Sequence, residues 1–190
     1  MEKIFKEFVS GAVRHTADIK ELADIAKHVN VANGESMYMS VYDFTEDYVE
    51  YAKENKTVAN YDGPVSISRL FFDLNKWDIE PYFIQPWFSG KGFHVITPDF
   101  FGFGFGNDVP DKVKHTLTHH FKDIDPVVYD KIRLLRMGNS KHDSGLFKVP
   151  LELKEVMNAT YEGIQLIARE KRKIGLILNL HTKKILLVKL

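Results

Sequence analysis

At Tyr61-Asp-Gly-Pro64 the chain changes its hydrophobic period, and that change limits the folds open to it. Before it the sequence reads as helix. Thr16 to Val29 has an apolar stripe at Ile19, Leu22, Ile25 and Ala26 behind a candidate cap at Thr16, and Thr45 to Asn55 opens with a cap residue and two acids. After it come runs of branched and aromatic residues over Val65–Asn75, Tyr82–Phe88 and Gly92–Thr97. The last two are joined by Ser89-Gly-Lys-Gly92, as in a hairpin. Val109–Ile124 returns to helical spacing with Pro110 in its first turn, Leu151–Arg172 predicts another helix, and Gly175–Leu190 predicts a hairpin turning at His181–Lys184. The order implies a layered α+β or α/β domain: a helical part over 1–64, a sheet over 65–150, and a closing helix with strands over 151–190. With 190 residues, one domain with one core is expected.

Charge narrows the function. Cations and anions both number 26, so no whole-molecule field draws in nucleic acid or anionic lipid, and any such contact needs a local patch. The absence of cysteine excludes disulfides and thiolate zinc sites. No run of 18 apolar residues occurs and the N-terminus lacks an apolar leader core, so the expectation is a soluble, cytoplasmic protein without a membrane partner.

The local patch is Asp125–Leu151. Lys131, Arg133, Arg136, Lys141 and Lys148 face only three acids there, Asp125, Asp130 and Asp143. Arg133 and Arg136 are interleaved with Ile132, Leu134 and Leu135, which argues against a merely solvated loop, and guanidinium forks suit phosphate oxygens. Upstream, Ser89, Lys91 and His94 offer hydroxyl, ammonium and imidazole donors beside two glycines, the donor set a triphosphate needs. In Arg69–Asn75, alternation puts Arg69, Phe71, Asp73 and Asn75 on one face. Positions i and i+2 lie roughly 6.6 Å apart along a strand, a spacing that lets two side chains hold paired divalent ions, although an Asp at a strand end is also a common turn residue. His115 and His119 have helical i, i+4 spacing but lack the glutamate of a zinc-protease motif. Gly102–Asn107 has the wrong glycine spacing for a dinucleotide loop, and its aromatics suggest packing.

Together these segments resemble the archaeo-eukaryotic primase superfamily, specifically the primase–polymerase domains of plasmids, phages and related mobile elements. The carriers are Leu70-Phe-Phe-Asp-Leu-Asn75, Gly92-Phe-His94, Ile124-Asp125, and Arg133-Leu-Leu-Arg-Met-Gly-Asn-Ser-Lys-His-Asp-Ser-Gly-Leu146, in that order, within Val41–Arg169. The resemblance implies an α+β primase core: an N-terminal αβ lobe packed on a sheet lobe related to the RNA-recognition motif, with flanking helices. It implies template-directed nucleotidyl transfer with Mg2+ or Mn2+ held by Asp73, Asp125 and the position of Asn75. It further implies an NTP or dNTP bound by His94, Arg133, Arg136, Ser140 and His142, with Lys91 as helper. The implied partners are a single-stranded DNA template and, in a longer parent protein, a helicase or a helical primer-handling domain.

Asn75 departs from the family, which has a carboxylate there. Three readings stay open: an inactivating substitution, an enzyme in which Asp78 or Glu80 substitutes, and a non-catalytic relative that binds nucleotide or single-stranded DNA. An end-joining polymerase with the same core is a further alternative.

Overall fold

Phe5–Ser10 (β1) and Val13–Asp18 (β2) form a hairpin whose two-residue loop begins with Gly11 at φ +56°, a left-handed conformation that glycine adopts without a Cβ penalty. The computed structural model describes residues 3–19, 36–73, 85–122 and 124–173. The hairpin corrects the helix expected from Thr16. Six registered pairs, Thr16 opposite Glu7 among them, claim Val13–Asp18 for the ladder, and the rest of that expected helix lies outside the described residues. The described residues of the expected helical part over 1–64 hold the strands β1 and β2 as well as helical chain.

Met37–Ser40 (β3) and Asp43–Phe44 (β4) run along the other edge of β1, since Phe8 pairs with both His15 and Met39, and Phe5 with both Asp18 and Phe44. The chain breaks its ladder at Val41–Tyr42, and Lys6 repairs the loss. Its buried ammonium donates to the carbonyls of Ser40, Val41 and Tyr42 at 3.0–3.1 Å and pairs with Asp43 at 2.9 Å. A buried charge with this many oxygens around it is satisfied rather than stranded. Glu46–Asn55 (α1) follows. Thr45 holds the N-cap position by backbone, without a capping bond from its side chain.

The run Val65–Asn75 supplies strands to two different sheets. Val65–Ser66 (β5) pairs with β4 in the first, while Arg69–Asp73 (β6) is an edge strand of the second. Gln85–Phe88 (β7) and Phe93–Pro98 (β8) form the expected hairpin beside it. Phe105–Gly106 (β9) joins β5, Leu134–Arg136 (β10) joins β3, and Val149–Pro150 (β11) joins β7. The described residues thus form an α+β arrangement with a seven-stranded and a four-stranded antiparallel sheet.

Val109–His120 (α2) buries Val109, Val113 and Leu117, a stripe at i, i+4 and i+8, against residues of both sheets including Phe44, Val65, Leu70, Phe72 and Val95. The helix expected over Leu151–Arg172 is two helices, Leu153–Asn158 (α3) and Tyr161–Ile167 (α4). The break falls at Thr160, whose hydroxyl accepts from Gly163 N–H and starts the second helix as its cap. A second core of Phe88, Val149, Leu151, Ile164 and Ala168 ties α4 to β7 and β11. The expected terminal hairpin over 175–190 lies outside the described residues. No helix among the described residues is long and apolar enough to cross a membrane.

Candidate functional site

In the second sheet the register sets Asp73 opposite His94, His94 opposite Trp87, and Trp87 opposite Pro150. Directly opposed residues of antiparallel strands share a face. Lys148 lies two positions before Pro150 and so falls on the same face as His94 and Trp87. Its side chain runs inward: the residue is 2% exposed, and its Nζ lies 5.7 Å from the centre of the Trp87 ring. One of its protons goes to the main-chain oxygen of Arg136 at 2.8 Å. Among the described residues no carboxylate pairs with it, and the buried indole N–H of Trp87 has no acceptor. Burial first, and then the Arg136 charge, push the ammonium down to about 7. The same two physical causes act on His94: burial and then the Lys148 charge push its imidazole down to about 3, so it is neutral at pH 7. A cation is being held in a dry place beside a neutral imidazole, with no anionic partner among the described side chains.

Arg136 closes one side. Its guanidinium donates to Ser36 Oγ, to the Lys141 carbonyl and to the Tyr38 hydroxyl at 2.7 Å, and lies 4.8 Å over the Tyr38 ring. Arg133 does not join it. Three residues apart in extended chain, the two leave opposite faces, and Arg133 is exposed, which removes the expectation that they act as a pair.

The two glycine-and-serine turns expected to cradle phosphate pack on each other. Gly90, at φ +95°, sits so close to His142 that a Cβ there would collide with the His142 Cβ. Ser144 Oγ donates to the Gly90 carbonyl at 2.9 Å, while Ser144 N–H donates to His142 Nδ1 at 3.0 Å. Asn139, at φ +59°, anchors the far side by exchanging hydrogen bonds with the backbone of Arg172. Two residues assigned to phosphate are committed elsewhere. Ser140 is fully buried with its hydroxyl on the carbonyls of Met137 and Met37, and Ser89 Oγ closes its own turn by accepting from Gly92 N–H and donating to Gly92 O. Lys91 is exposed, and its carbonyl accepts from Tyr161 OH. Of the other cations, Lys131 is committed to the Gly63 carbonyl at 3.1 Å and to Asp62 at 3.4 Å.

The acidic half is less complete. The 3-10 helix Pro126–Tyr129 is docked on β6, because the Tyr129 hydroxyl binds both backbone groups of Phe71. This brings the segment that begins with Asp125 to the strand that ends in Asp73. The Asp125 side chain is exposed and caps its own helix, accepting from Val127 N–H at 2.9 Å. Asn75 lies outside the described residues. Among the described residues no three His, Asp or Glu side chains gather to hold a metal ion; of the ligand set that the resemblance implies, only the Asp125 side chain is among those described.

Lys148 is the residue that sequence reasoning passed over. It was one of five cations in a basic segment, and only its alternation with Val149 hinted that it points inward. A shallow hollow elsewhere, lined by Asp47, Glu50, Glu54 and Asp62, carries the wrong charge for a polyphosphate. No family model matches this chain, and no curated protein or solved structure matches it.

Proposed function

We propose that the chain is a nucleotidyl-transfer domain of the primase–polymerase kind, built on an archaeo-eukaryotic primase core, which takes an NTP or dNTP and a single-stranded DNA template. The observation that carries the reading is Lys148: a buried ammonium with no carboxylate partner among the described side chains, next to His94 and the Arg136 carbonyl. An incoming polyphosphate provides the missing counter-charge. In the reaction a 3′-hydroxyl attacks the α-phosphate, a phosphodiester bond forms, and pyrophosphate leaves. Lys148 and Arg136 then act on the charge that builds on the departing group, and neutral His94 donates one N–H to a phosphate oxygen. Support for the rest comes from the order of the motifs, from Asp73 standing opposite His94, and from the Tyr129 bridge that carries Asp125 to β6.

The second reading, a non-catalytic nucleotide-binding module, is favoured by Asn75, a neutral amide at the position where the family carries a metal-binding carboxylate. One experiment separates them. Titration with a fluorescent dATP analogue is run with and without EDTA, and primer synthesis on single-stranded DNA is run with Mn2+ for the chain and for Asn75→Asp. Binding in EDTA with no synthesis by either form selects the module. Synthesis that is strengthened in Asn75→Asp selects the enzyme. No binding at all, with Lys148→Met indistinguishable from the parent, removes both.

A further inference from the structure

The loop after β8 was expected to pack, and half of it does not. Phe103 is half-buried against the main core, but Phe100, Phe101 and Phe105 are 39%, 37% and 51% exposed. Three exposed phenylalanines within six residues are unusual on a surface and call for a ligand. The loop is nonetheless ordered by its own chemistry. The Asp99 carboxylate accepts from the N–H groups of Phe101, Gly102 and Phe103 at 2.9–3.0 Å, and Gly102 and Gly104 both sit at φ +71°. The rings are therefore presented in fixed positions.

They continue onto α2. The rings of Phe100 and Phe101 are 4.6 Å apart, Phe101 stacks on His120 at 5.6 Å and 28°, His120 meets His119 at 5.2 Å, and His119 lies parallel to His115 at 6.5 Å and 17°. All three histidines are exposed, while the opposite side of α2 is locked into the core by Val109, Val113 and Leu117. The result is a continuous row of five rings, apolar at one end and imidazole at the other.

We propose that this row is a stacking platform for the bases of single-stranded nucleic acid. Bases stack on any aromatic face, which makes such binding tolerant of sequence, and imidazole N–H groups serve phosphate or base-edge acceptors. An apolar protein groove or a lipid would have to strip water from three imidazoles. Charge agrees: Asp99 accepts from three N–H groups, Asp108 is paired with Lys112 at 2.8 Å, and Lys122 stands exposed just beyond the helix, with Asp111, one turn before His115, as an exposed acid of α2. The proposal rests on the reading above only in taking a single strand as the ligand, since none of its residues belongs to the cleft.

The test is fluorescence anisotropy with labelled dT15 and with an abasic 15-mer, using the full chain, Phe100→Ala/Phe101→Ala and His119→Ala/His120→Ala. Both variants change exposed side chains, and circular dichroism checks that each is folded. The expected result is at least a tenfold preference for dT15 over the abasic strand in the parent, and at least a tenfold loss of dT15 affinity in the phenylalanine variant. Affinity for the dATP analogue stays unchanged. Equal binding of both strands, an unchanged affinity in the phenylalanine variant, or loss of self-association without loss of DNA binding overturns the platform. If the nucleotide titration fails while the dT15 loss appears, the platform stands and the cleft reading falls.

Discussion

The hydroxyl of Tyr129 donates to the carbonyl of Phe71 at 2.6 Å and accepts from the amide of the same residue at 2.9 Å. Phe71 lies on β6, an edge strand, and these are the groups that a neighbouring strand would otherwise pair. One side chain thus closes the sheet edge at this point and fixes the segment bearing Asp125. Tyr129→Phe removes one oxygen and leaves two buried backbone groups without partners. We expect a loss of about 2–4 kcal/mol in urea unfolding, together with a tendency to associate through the freed edge.

Lys148→Met is expected to make the protein more stable and less able to bind nucleotide. A buried cation with one hydrogen bond among the described residues is costly, and methionine fills a similar volume without the charge. Loss of the bond to the Arg136 carbonyl offsets part of the gain, leaving a net stabilisation of about 1–3 kcal/mol at pH 7. The pH dependence identifies the cause. The unfolded chain keeps this proton up to the ordinary lysine range, whereas the folded chain releases it near 7. Between those limits the unfolded state binds more protons, so the parent gains stability as pH rises from about 7 to about 10, by up to roughly 4 kcal/mol. Lys148→Met lacks that rise, except for what the buried Lys6, shifted in the same direction, retains. Denaturant titrations of both proteins across this range check it.

Nucleotide affinity should carry the opposite slope. A bound polyphosphate holds the Lys148 proton, so affinity is level below about pH 7 and falls above it, approaching tenfold per pH unit. A slope that survives in Lys148→Met would assign the proton to another group.

Gly90→Ala tests the docking of the two turns. The substitution combines an unfavourable φ of +95° with a collision against His142, and backbone strain alone is worth about 1–3 kcal/mol. We expect a total near 3 kcal/mol, or roughly 6–12 °C in Tm, with nucleotide affinity reduced alongside. Thermal melts and the same nucleotide titration measure both.

Much of this arrangement could be read from periodicity. The alternation in Arg69–Asp73 and the hairpin around Ser89–Gly92 gave β6, β7 and β8, and Pro110 marked the start of α2. The failures have a common physical origin in long-range pairing. Thr16 looked like a helix cap until Gly11 turned Val13–Asp18 back onto β1. Ser140 looked like a phosphate ligand, but a buried backbone turn claimed its hydroxyl. Arg133 and Arg136 shared a basic run, yet extended chain sends residues three apart to opposite sides. Lys148 was hidden for the converse reason: Trp87 and His94, which surround it with the Arg136 carbonyl, come from β7 and β8, far from it in sequence.

The ammonium of Lys6 has a reach beyond its own sheet. By holding three successive carbonyls it bends the chain between β3 and β4, so that β10 lies along one half of the kinked edge and β5 along the other. The position of Arg136, and through it the oxygen that anchors Lys148, is inherited from that kink. A lysine near the start of the chain thereby helps to seat side chains that come more than eighty positions later, in the manner of a joiner's peg.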